Sequence, residues 1–568
     1  MAAVRKRARG AEAADPKLAA GMEEAEACFA NGDYAGTAAA AGSVLGEEAM
    51  LVRAAVLKGK AGMAALIEQV KDEDVEDPEP AAFREPLRAF KLATRLEPGN
   101  AEAKAGIREL EELTEGLHVF EEPPKPNHDL PYDVVIVGAG AAGVGVALVL
   151  TKTFGLDPAR VLLVERGDAP GETFRRWPKE MRFISPSFNH QGWSGSFDLN
   201  SVMFGTSPAH TLGAEHPSGE DYAFYLMALA DAGDLNIKTK TEVTGVRSRT
   251  RNSGFWVDVA PRPGTEEEGA EPMEPLRARY VIWAAGEFQY PKAPDAEESL
   301  FPGEGLCRHN STVSTWKDLP GDDYVVVGGY ESGMDAAFNL AGCGKRCTVA
   351  ASTRCWTTTT DDPSTELAPY TVQRINDALE GPTPPRLLAP LRVTKVEKAK
   401  GNKGFLVHAQ WGEQEEDEGS FVSKRRVTEG GEGEEGEEQP GEEGTEIVLK
   451  TPQQPILCTG FRGSVSVGAA KTLFEYGNDN ACNAYAPLLT EKDESTITPG
   501  LFLVGSLVQH GELSFCFVYK FRQRFGVVAN AIAQGLGHDT RDAVLEAREI
   551  DMYLDSFEKC QGACGESC

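Results

Sequence analysis

The sequence lacks closely paired cysteines and long uninterrupted apolar runs. Its 11 cysteines are scattered over 568 residues without a Cys-x-x-Cys pair, which favours a reducing compartment over a disulphide framework. The longest apolar run, Val134 to Leu150, is interrupted by glycines, so no membrane span is predicted. The N-terminal residues are basic but too poor in apolar side chains for a secretory signal. We therefore expect a soluble, cytoplasmic protein.

Basic residues are scarce relative to acidic ones. The chain has 57 Lys and Arg against 88 Asp and Glu, a net charge of −31. A surface of this sign repels nucleic acid and anionic membranes, so neither is expected as a partner. Much of the excess lies in residues 413–446, which have almost no apolar content and are predicted to form a disordered acidic loop.

The length predicts several domains, and the first, residues 1–122, is rich in Ala, Glu and Leu at helical spacing. Residues 81–113 combine an amphipathic helix, a Pro-Gly-Asn turn and a second helix opened by Asn100. They resemble a tetratricopeptide repeat, and the sequence near Phe29 resembles a weaker one. Such repeats bury their faces by stacking, so this region is expected to dock a protein partner or a second copy; a plain helical cap is the alternative. A proline-rich linker, 123–131, follows.

The strongest motif runs from Tyr132 to Gly167, where an apolar strand leads into glycines at GxGxxG spacing, a helix and a second strand that ends on an acid. Gly138 allows the tight turn, Gly140 lets the backbone approach a pyrophosphate, and Gly143 lets helix and strand pack closely. The N–H groups of the helix start favour the phosphates, and Glu165 is placed to accept hydrogen bonds from a ribose. The order of these features predicts a dinucleotide site.

A second nucleotide unit begins at the strand Val325 to Val327. Gly328 and Gly329 follow the strand, and a helix is predicted near Ser332 and Gly333; Tyr330 replaces the middle glycine of the fingerprint. Either Gly329 then takes the close approach to the pyrophosphate or the dinucleotide binds more loosely. The second strand of the unit ends in Ser352, Thr353 and Arg354 instead of an acid. Hydroxyls and a guanidinium suit a 2′-phosphate, which predicts NADPH over NADH, with Arg354 and secondarily Arg346 as clamps.

Three further segments carry a family resemblance: AAGEFQYP from Ala284, FPGEGLCRHNSTVSTW from Phe301, and PILCTGF from Pro455. With the two glycine units, they resemble the flavoproteins with two dinucleotide-binding domains: flavin-containing monooxygenases, N-hydroxylases and thioredoxin-reductase-like enzymes of the pyridine nucleotide-disulfide oxidoreductase superfamily. Phe301, Gly303, His309 and Trp316 take the places of the monooxygenase fingerprint, with extra residues before His309 and before Trp316.

The resemblance implies an α/β fold with two Rossmann-like domains, the second inserted in the first, behind the all-α N-terminal region. FAD is expected on residues 132–320 and 455–559, and NADPH on residues 321–454. The strand before Gly505 ends in Gly-Asp in such flavoproteins, with the Asp on the ribityl chain; here Ser506 stands in its place. The expected FAD-binding residues are Gly138, Gly140, Gly143, Glu165, Arg166, Trp177, Gly286, Gly505 and Ser506; Arg175 and Arg176 also fall near flavin or substrate. The expected NADPH-binding residues are Gly328, Gly329, Ser332, Gly333, Ser352 and Arg354.

The resemblance leaves the reaction open. The first reading is a monooxygenase-like oxidation of a small nucleophilic substrate, since Cys343 and Cys347 are more typical of core residues than of a redox pair. The second is an NADPH-dependent disulfide reductase that uses the tail of residues 560–568, and the third is a flavoprotein scaffold or redox sensor. The candidate catalytic residues are Trp177, His309, Cys560, Cys564 and Cys568. No metal site is predicted, because three tail thiols lack a fourth ligand for tetrahedral zinc.

Overall fold

The computed structural model describes residues 51–71, 86, 89–90, 93–94, 100–113, 130–187, 198–249, 254–264, 273–292, 299–357, 366–413, 442–476, 486–511 and 513–557. The weaker repeat near Phe29, most of the acidic loop, and Cys560, Cys564 and Cys568 lie outside the described residues. The chain divides into two compact units. The first comprises Met1–His128, His190–Ser196 and Leu536–Asp542; the second comprises Asp129–Asn189, Phe197–Gly535 and Ala543–Cys568.

The described part of the first unit is helical. Helix α1 spans Leu51–Lys71 and helix α2 spans Ala101–Leu113. Asn100 opens α2, as predicted, because its Oδ1 accepts a hydrogen bond from the backbone N–H of Ala103 at 2.9 Å. Phe90 is fully buried, and a Cβ added to Gly59 or to Gly106 would lie 2.8 Å or 2.3 Å from its ring. The two glycines therefore leave the space that this aromatic ring occupies in the helical core. The assignment to a tetratricopeptide repeat stays a prediction.

The second unit alternates strands and helices. Its strands up to the second glycine loop are β1 (Tyr132–Val137), β2 (Val161–Val164), β3 (Asn236–Lys238), β4 (Thr241–Ser248), β5 (Phe255–Pro261), β6 (Leu276–Trp283), β7 (Tyr290–Pro291), β8 (Arg308–His309) and β9 (Asp323–Val327). The later strands are β10 (Arg346–Ala350), β11 (Arg386–Leu388), β12 (Leu391–Lys398), β13 (Phe405–Trp411), β14 (Glu446–Thr451), β15 (Ile456–Leu457), β16 (Phe461–Arg462), β17 (Glu475–Tyr476), β18 (Pro487–Leu488), β19 (Leu501–Leu503), β20 (Gln509–His510) and β21 (Leu513–Ser514). The helices are α3 (Ala141–Leu148), α4 (Glu172–Arg175), α5 (Pro208–Leu212), α6 (Gly219–Gly233), α7 (Glu331–Gly342), α8 (Pro369–Leu379), α9 (Val518–Phe521), α10 (Phe525–Gly535) and α11 (Arg541–Glu549), the last of which begins in the first unit.

The first sheet has the strand order β3-β2-β1-β6-β5-β4, and β19 also pairs with β6. The pairings among β3, β2, β1, β6 and β19 are parallel, whereas β4 and β5 form an antiparallel extension. Val137 at the end of β1 is level with Val164 on β2 and Trp283 on β6, and Trp283 is level with Leu503 on β19. Four neighbouring strands therefore end together at one edge of the sheet.

The second sheet is parallel throughout, with the order β11-β10-β9-β15-β8. Its strands fall between β6 and β19 in the sequence, and β12, β13 and β14 form a separate antiparallel sheet. The second sheet extends beyond the predicted range 321–454, because β8 and β15 belong to it. Two-residue strands such as these carry too little alternation to be recognised in a sequence.

Two details differ from what the sequence pattern alone suggests. The C-terminal amphipathic segment is typical of one long helix, but it is divided into α9, a 3₁₀ turn (Arg522–Arg524) and α10. Arg522 is buried in that turn, where its guanidinium donates to the carbonyl oxygens of Asp198 and Ser201 at 2.5 and 2.9 Å. The predicted acidic loop also ends early, because Glu446 already belongs to β14. Among the described helices, none combines the length and apolarity needed to cross a membrane.

Candidate functional site

A cavity of about 1420 Å³ in the second unit is lined by the loops that follow β1, β2, β6, β9, β10, β15 and β19. Loops at the carboxyl ends of parallel strands are where open α/β sheets bind ligands. The cavity brings together most of the predicted cofactor residues: Gly138, Gly140, Glu165, Arg166, Trp177, Gly286, Gly505, Ser506, Gly328, Gly329, Ser332 and Ser352. Gly143, Gly333, Arg354 and His309 are not among its lining residues.

The glycines of the first loop have different roles. Gly138 has φ of 101°, and an added Cβ would lie 2.7 Å from the carbonyl oxygen of Ala284; at Gly143 it would lie 2.0 Å from the carbonyl oxygen of Gly138. At Gly140 an added Cβ would meet nothing within 4 Å. No side chain caps the helix start at Gly140, so the N–H groups of the first turn of α3 can bind an anion. The chain thus requires the outer glycines, and the middle glycine opens the loop to a phosphate.

Glu165 is a buried carboxyl group with two backbone partners. Its Oε2 accepts from the N–H of Ala139 at 2.8 Å and its Oε1 from the N–H of Gly167 at 2.6 Å. Burial raises the pKa of Glu165, and these hydrogen bonds oppose the rise. A carboxylate has further lone pairs for a ribose, so the predicted role remains open beside a structural one. Sequence reasoning missed that Glu165 ties the end of β2 to the glycine loop.

The second glycine loop repeats part of this geometry. Gly328 has φ of 102°, and an added Cβ at Gly333 would lie 2.0 Å from the carbonyl oxygen of Gly328. An added Cβ at Gly329 would lie 2.4 Å from the Cβ of Ala351, so Gly329 is needed for packing against the end of β10. The Tyr330 hydroxyl donates to the carbonyl oxygen of Glu366 at 2.8 Å. Steric demand at Gly329 therefore comes from the protein itself, and both alternatives for the phosphate contact stay predictions.

The end of β10 supplies hydroxyl groups to the cavity. Ser352 and Thr353 are exposed and line it, whereas Arg354 is half-buried and does not. Arg346 lies at the opposite end of β10, where its Nη2 is 3.1 Å from the Asp323 carboxylate. The secondary assignment of Arg346 to a 2′-phosphate is therefore wrong, because the strand separates it from Ser352.

A buried charged network adjoins the second glycine loop and was missed from the sequence. Arg374 on α8 donates to Asp335 Oδ1 on α7 at 2.8 Å, and each side chain is 9% exposed. Glu331 accepts from the Thr371 hydroxyl and from the N–H of Ala368, both at 2.6 Å. Burial raises the pKa of both Glu331 and Asp335. Since Arg374, Asp335, Glu331 and Thr371 all line the cavity, the network fixes a guanidinium beside the predicted NADPH site.

Trp177 lines the cavity within an aromatic cluster. Its ring centroid lies 5.2 Å from that of Phe174 and 5.1 Å from that of Phe183. Arg166 also lines the cavity, with its Nη1 3.4 Å from Glu242 Oε1. Arg176, which lines it as well, pairs with Glu172 at 3.1 Å. Arg175 holds the loop instead, since its Nη1 donates to the carbonyl oxygen of Pro170 at 2.6 Å.

His309 is a buried structural residue in this fold. Its Nε2 lies 3.0 Å from the carbonyl oxygen of Gly460, and its Nδ1 lies 2.9 Å from the Ser311 hydroxyl. Burial lowers the pKa of His309, which favours a neutral ring that donates to Gly460. With both ring nitrogens engaged, His309 links β8 to the loop after β15 and is not placed as a catalytic residue. Its neighbour Asn310 lines the cavity and is 3% exposed, and its Oδ1 has no hydrogen-bond partner among the described residues.

The described cysteines are free thiols that burial keeps protonated. Burial raises the pKa of Cys307 and Cys347 to about 12, and it also raises the pKa of Cys343, Cys355, Cys458 and Cys516. Three of them line the cavity: Cys355, Cys458 and Cys516. Within the described ranges, no cluster of three or more His, Cys, Asp or Glu side chains could hold a metal ion.

Comparison with known proteins shows similarity to oxidoreductases. A family model described as pyridine nucleotide-disulphide oxidoreductase matches residues 135–424. Two curated relatives, both named uncharacterized oxidoreductase CzcO, are 23% identical in Bacillus velezensis and 22% identical in Bacillus subtilis, each over 217 residues. The match covers 37% of this chain and 52% of each relative, so the chain spans about half the length of the curated relatives it matches.

Solved structures are similar over a longer stretch. The bacillithiol disulfide reductase Bdr (YpdA) from Bacillus cereus is 18% identical, with a TM-score of 0.49, over 71% of this chain and 99% of that one. A flavin-containing monooxygenase from Stenotrophomonas maltophilia is 16% identical, with a TM-score of 0.45, over 71% of this chain and 98% of that one.

Proposed function

Because the chain belongs to the pyridine nucleotide-disulphide oxidoreductase family, we propose that it is an FAD- and NADPH-dependent oxidoreductase that oxidises a small nucleophilic substrate. The observation that carries the proposal is the single cavity lined by both glycine loops. A flavin and a nicotinamide must meet for a hydride to pass between them, and a shared cavity meets that requirement. Bound together, FAD and NADPH would supply hydride transfer to the flavin.

The loop after β1 fits the phosphates of FAD. Gly140 leaves space for close approach, the uncapped start of α3 offers N–H donors, and Glu165 offers acceptors for the adenosine ribose. Trp177 and its aromatic neighbours would exclude water from one wall of the cavity. These residues bind and orient the cofactor.

The loops after β9 and β10 fit NADPH. Ser352 and Thr353 offer hydroxyl donors to a 2′-phosphate, and the guanidinium of Arg374, which is paired with Asp335, has further N–H donors in the same half of the cavity. The unpartnered Oδ1 of Asn310 is a buried acceptor, and a carboxamide N–H₂ such as that of nicotinamide would satisfy it. Arg354 stays a candidate clamp for the 2′-phosphate.

The state of the thiols favours monooxygenation over disulfide reduction. A thiol attacks a disulfide as its thiolate, and reactive cysteines have lowered pKa values. Burial raises the pKa of Cys355, Cys458 and Cys516, the cysteines that line the cavity, so these groups are poor nucleophiles at neutral pH. An oxidised product would then be formed by cofactor chemistry, with the protein supplying orientation and a dry pocket.

A specific observation keeps the disulfide reductase as a second candidate. Phe557, the last described residue, stacks on His510 with ring centroids 4.8 Å apart, and it also lies 6.2 Å from the ring of Phe515. Phe515 is the neighbour of Cys516 at the cavity. Phe557 precedes Cys560 by three residues in the sequence, and the tail thiols are the candidate redox group of this second proposal.

The test begins with the purified full chain reconstituted with FAD. Anaerobic stopped-flow absorbance would follow flavin reduction by NADPH and by NADH; the proposal expects faster reduction at lower concentrations of NADPH. Oxygen uptake coupled to amine or sulfide oxidation would support monooxygenation. Thiol production from small disulfides, abolished by Cys560→Ser/Cys564→Ser/Cys568→Ser, would support the reductase instead. A chain that binds FAD but is not reduced by either nucleotide would contradict both and favour the scaffold.

A further inference from the structure

The strand order at the edge of the first sheet determines which loop lies next to each part of a bound dinucleotide. The strands lie in the order β2-β1-β6-β19, and they end level with one another. Their loops therefore present Glu165 after β2, the glycine loop after β1, Glu287 after β6, and Ser506 after β19. Neighbouring strands are about 4.8 Å apart, so roughly 14 Å separates the first of these loops from the last.

Glu287 is a carboxyl group that the sequence analysis did not single out. It lines the cavity between the glycine loop and Ser506, and it follows Gly286, whose φ is 70°. The Ser506 hydroxyl hydrogen-bonds with the Glu287 carboxyl group, and Cys516 lies close enough for the charge of Glu287 to affect its pKa. Glu287 is half-buried in the cavity wall, and burial raises its pKa.

We propose that Glu287, assisted by Ser506, binds the hydroxyl groups of the ribityl chain of FAD, on the opposite side of the glycine loop from Glu165. This inference rests on the proposed function, because it takes FAD to be the ligand of the first glycine loop. With the phosphates at Gly140, the two halves of the dinucleotide extend in opposite directions along the sheet edge. Each half then lies beside one carboxyl group, and the hydroxyl groups of a ribose or a ribityl chain can donate hydrogen bonds to it.

The pairing also explains the residue at 506. An Asp at this position would place a second carboxylate against Glu287, and two like charges at hydrogen-bond distance cannot both ionise without a large cost. Serine instead presents a hydroxyl that can donate to Glu287 and accept from a ligand. The flavoproteins that this chain resembles carry a carboxylate after this strand, whereas in this chain the carboxyl group follows the neighbouring strand.

The test compares the affinity of the full chain, stripped of flavin, for FAD and for ADP, which contains only the adenosine side. Glu287→Gln should weaken FAD binding by about tenfold to a hundredfold, the range for hydrogen bonds to a charged group, and leave ADP binding unchanged. Glu165→Gln should weaken both ligands. Glu180→Gln is the matched control, because its carboxylate accepts hydrogen bonds from Thr315 and Trp316 and does not line the cavity.

A charge relocation provides the second arm. Ser506→Asp alone should weaken FAD binding through repulsion, whereas Glu287→Gln/Ser506→Asp should recover most of the lost affinity. Thermal unfolding of each flavin-free variant checks that the fold persists. If Glu287→Gln binds FAD as tightly as the wild type, or loses equal affinity for FAD and for ADP, this inference is overturned and the proposed function stands. Failure of the wild-type chain to bind FAD would overturn the proposed function together with it.

Discussion

Replacing Gly140 with alanine should separate ligand binding from folding at the first glycine loop. The backbone at Gly140, with φ of −81° and ψ of −166°, is open to any residue, and the added Cβ would meet nothing within 4 Å. A glycine-to-alanine change without strain stabilises a fold by about 0.4–1 kcal/mol, because the unfolded chain loses freedom. Gly140→Ala should therefore unfold at the wild-type temperature or slightly above it when no cofactor is present.

The same substitution should weaken FAD binding. A methyl group forced into a close-packed contact costs about 1–3 kcal/mol, which corresponds to roughly a fivefold to 150-fold higher Kd for FAD. Quenching of flavin fluorescence on titration would measure that Kd, and differential scanning calorimetry would measure stability.

Two other glycines provide matched controls. Gly143→Ala would place a Cβ 2.0 Å from the carbonyl oxygen of Gly138, so it should destabilise the fold itself. Gly342→Ala, at the end of α7, meets nothing within 4 Å, so it should raise stability slightly, as Gly140→Ala does, and leave FAD binding unchanged. The reasoning is refuted if Gly140→Ala binds FAD as tightly as the wild type, or if it unfolds as easily as Gly143→Ala.

Three further perturbations test other parts of the site. Arg374→Met should destabilise the flavin-free protein by about 3–5 kcal/mol in chemical denaturation, because it leaves Asp335 buried without its cation. The double variant Asp335→Asn/Arg374→Met should recover part of that loss. Equal stabilities of the single and the double variant would contradict the account. Cys516 should react with an aromatic disulfide reagent at pH 7.5 more slowly than free cysteine does, because burial raises its pKa. Mass spectrometry would follow the reaction. A faster reaction would identify an activated thiol and make Cys516 a candidate redox group again. A raised folded-state pKa means that the folded state binds more protons, so the contribution of Glu287 to stability falls as pH rises above its unfolded pKa. Glu287→Gln should thus melt above the wild type at pH 8, with a smaller difference at pH 5, and a difference independent of pH would exclude this effect.

The sequence was informative where one short segment carries a whole structural unit. The segment from Tyr132 to Gly167 contains the strand, the turn, the helix start and the second strand, and each lies where it was predicted. The antiparallel strands β4 and β5 and the helix α6, opened by Ser218, were likewise predictable from alternation and capping. Local patterns of this kind depend on neighbours in the chain, which a sequence displays directly.

The rest of the site depends on contacts between distant segments. Glu287 and Ser506 meet because β6 and β19 pair in parallel, and no local pattern states that register. Arg374 and Asp335 belong to different helices, so their ion pair has no signature in either segment. His309 shows the converse case: its place in a motif suggested chemistry, and only the structure shows that its two ring nitrogens contact Ser311 and Gly460.

The position of β19 beside β6 has a consequence for how the protein is made. β6 ends at Trp283, but its parallel partner begins at Leu501, so the strand edge stays incomplete until nearly the whole chain has left the ribosome. During synthesis the second sheet and the antiparallel strands β12 to β14 emerge in the interval and can fold first. Capture of the flavin is therefore expected to be a late event, and a chain released before residue 501 would carry one glycine loop with only half of its binding edge.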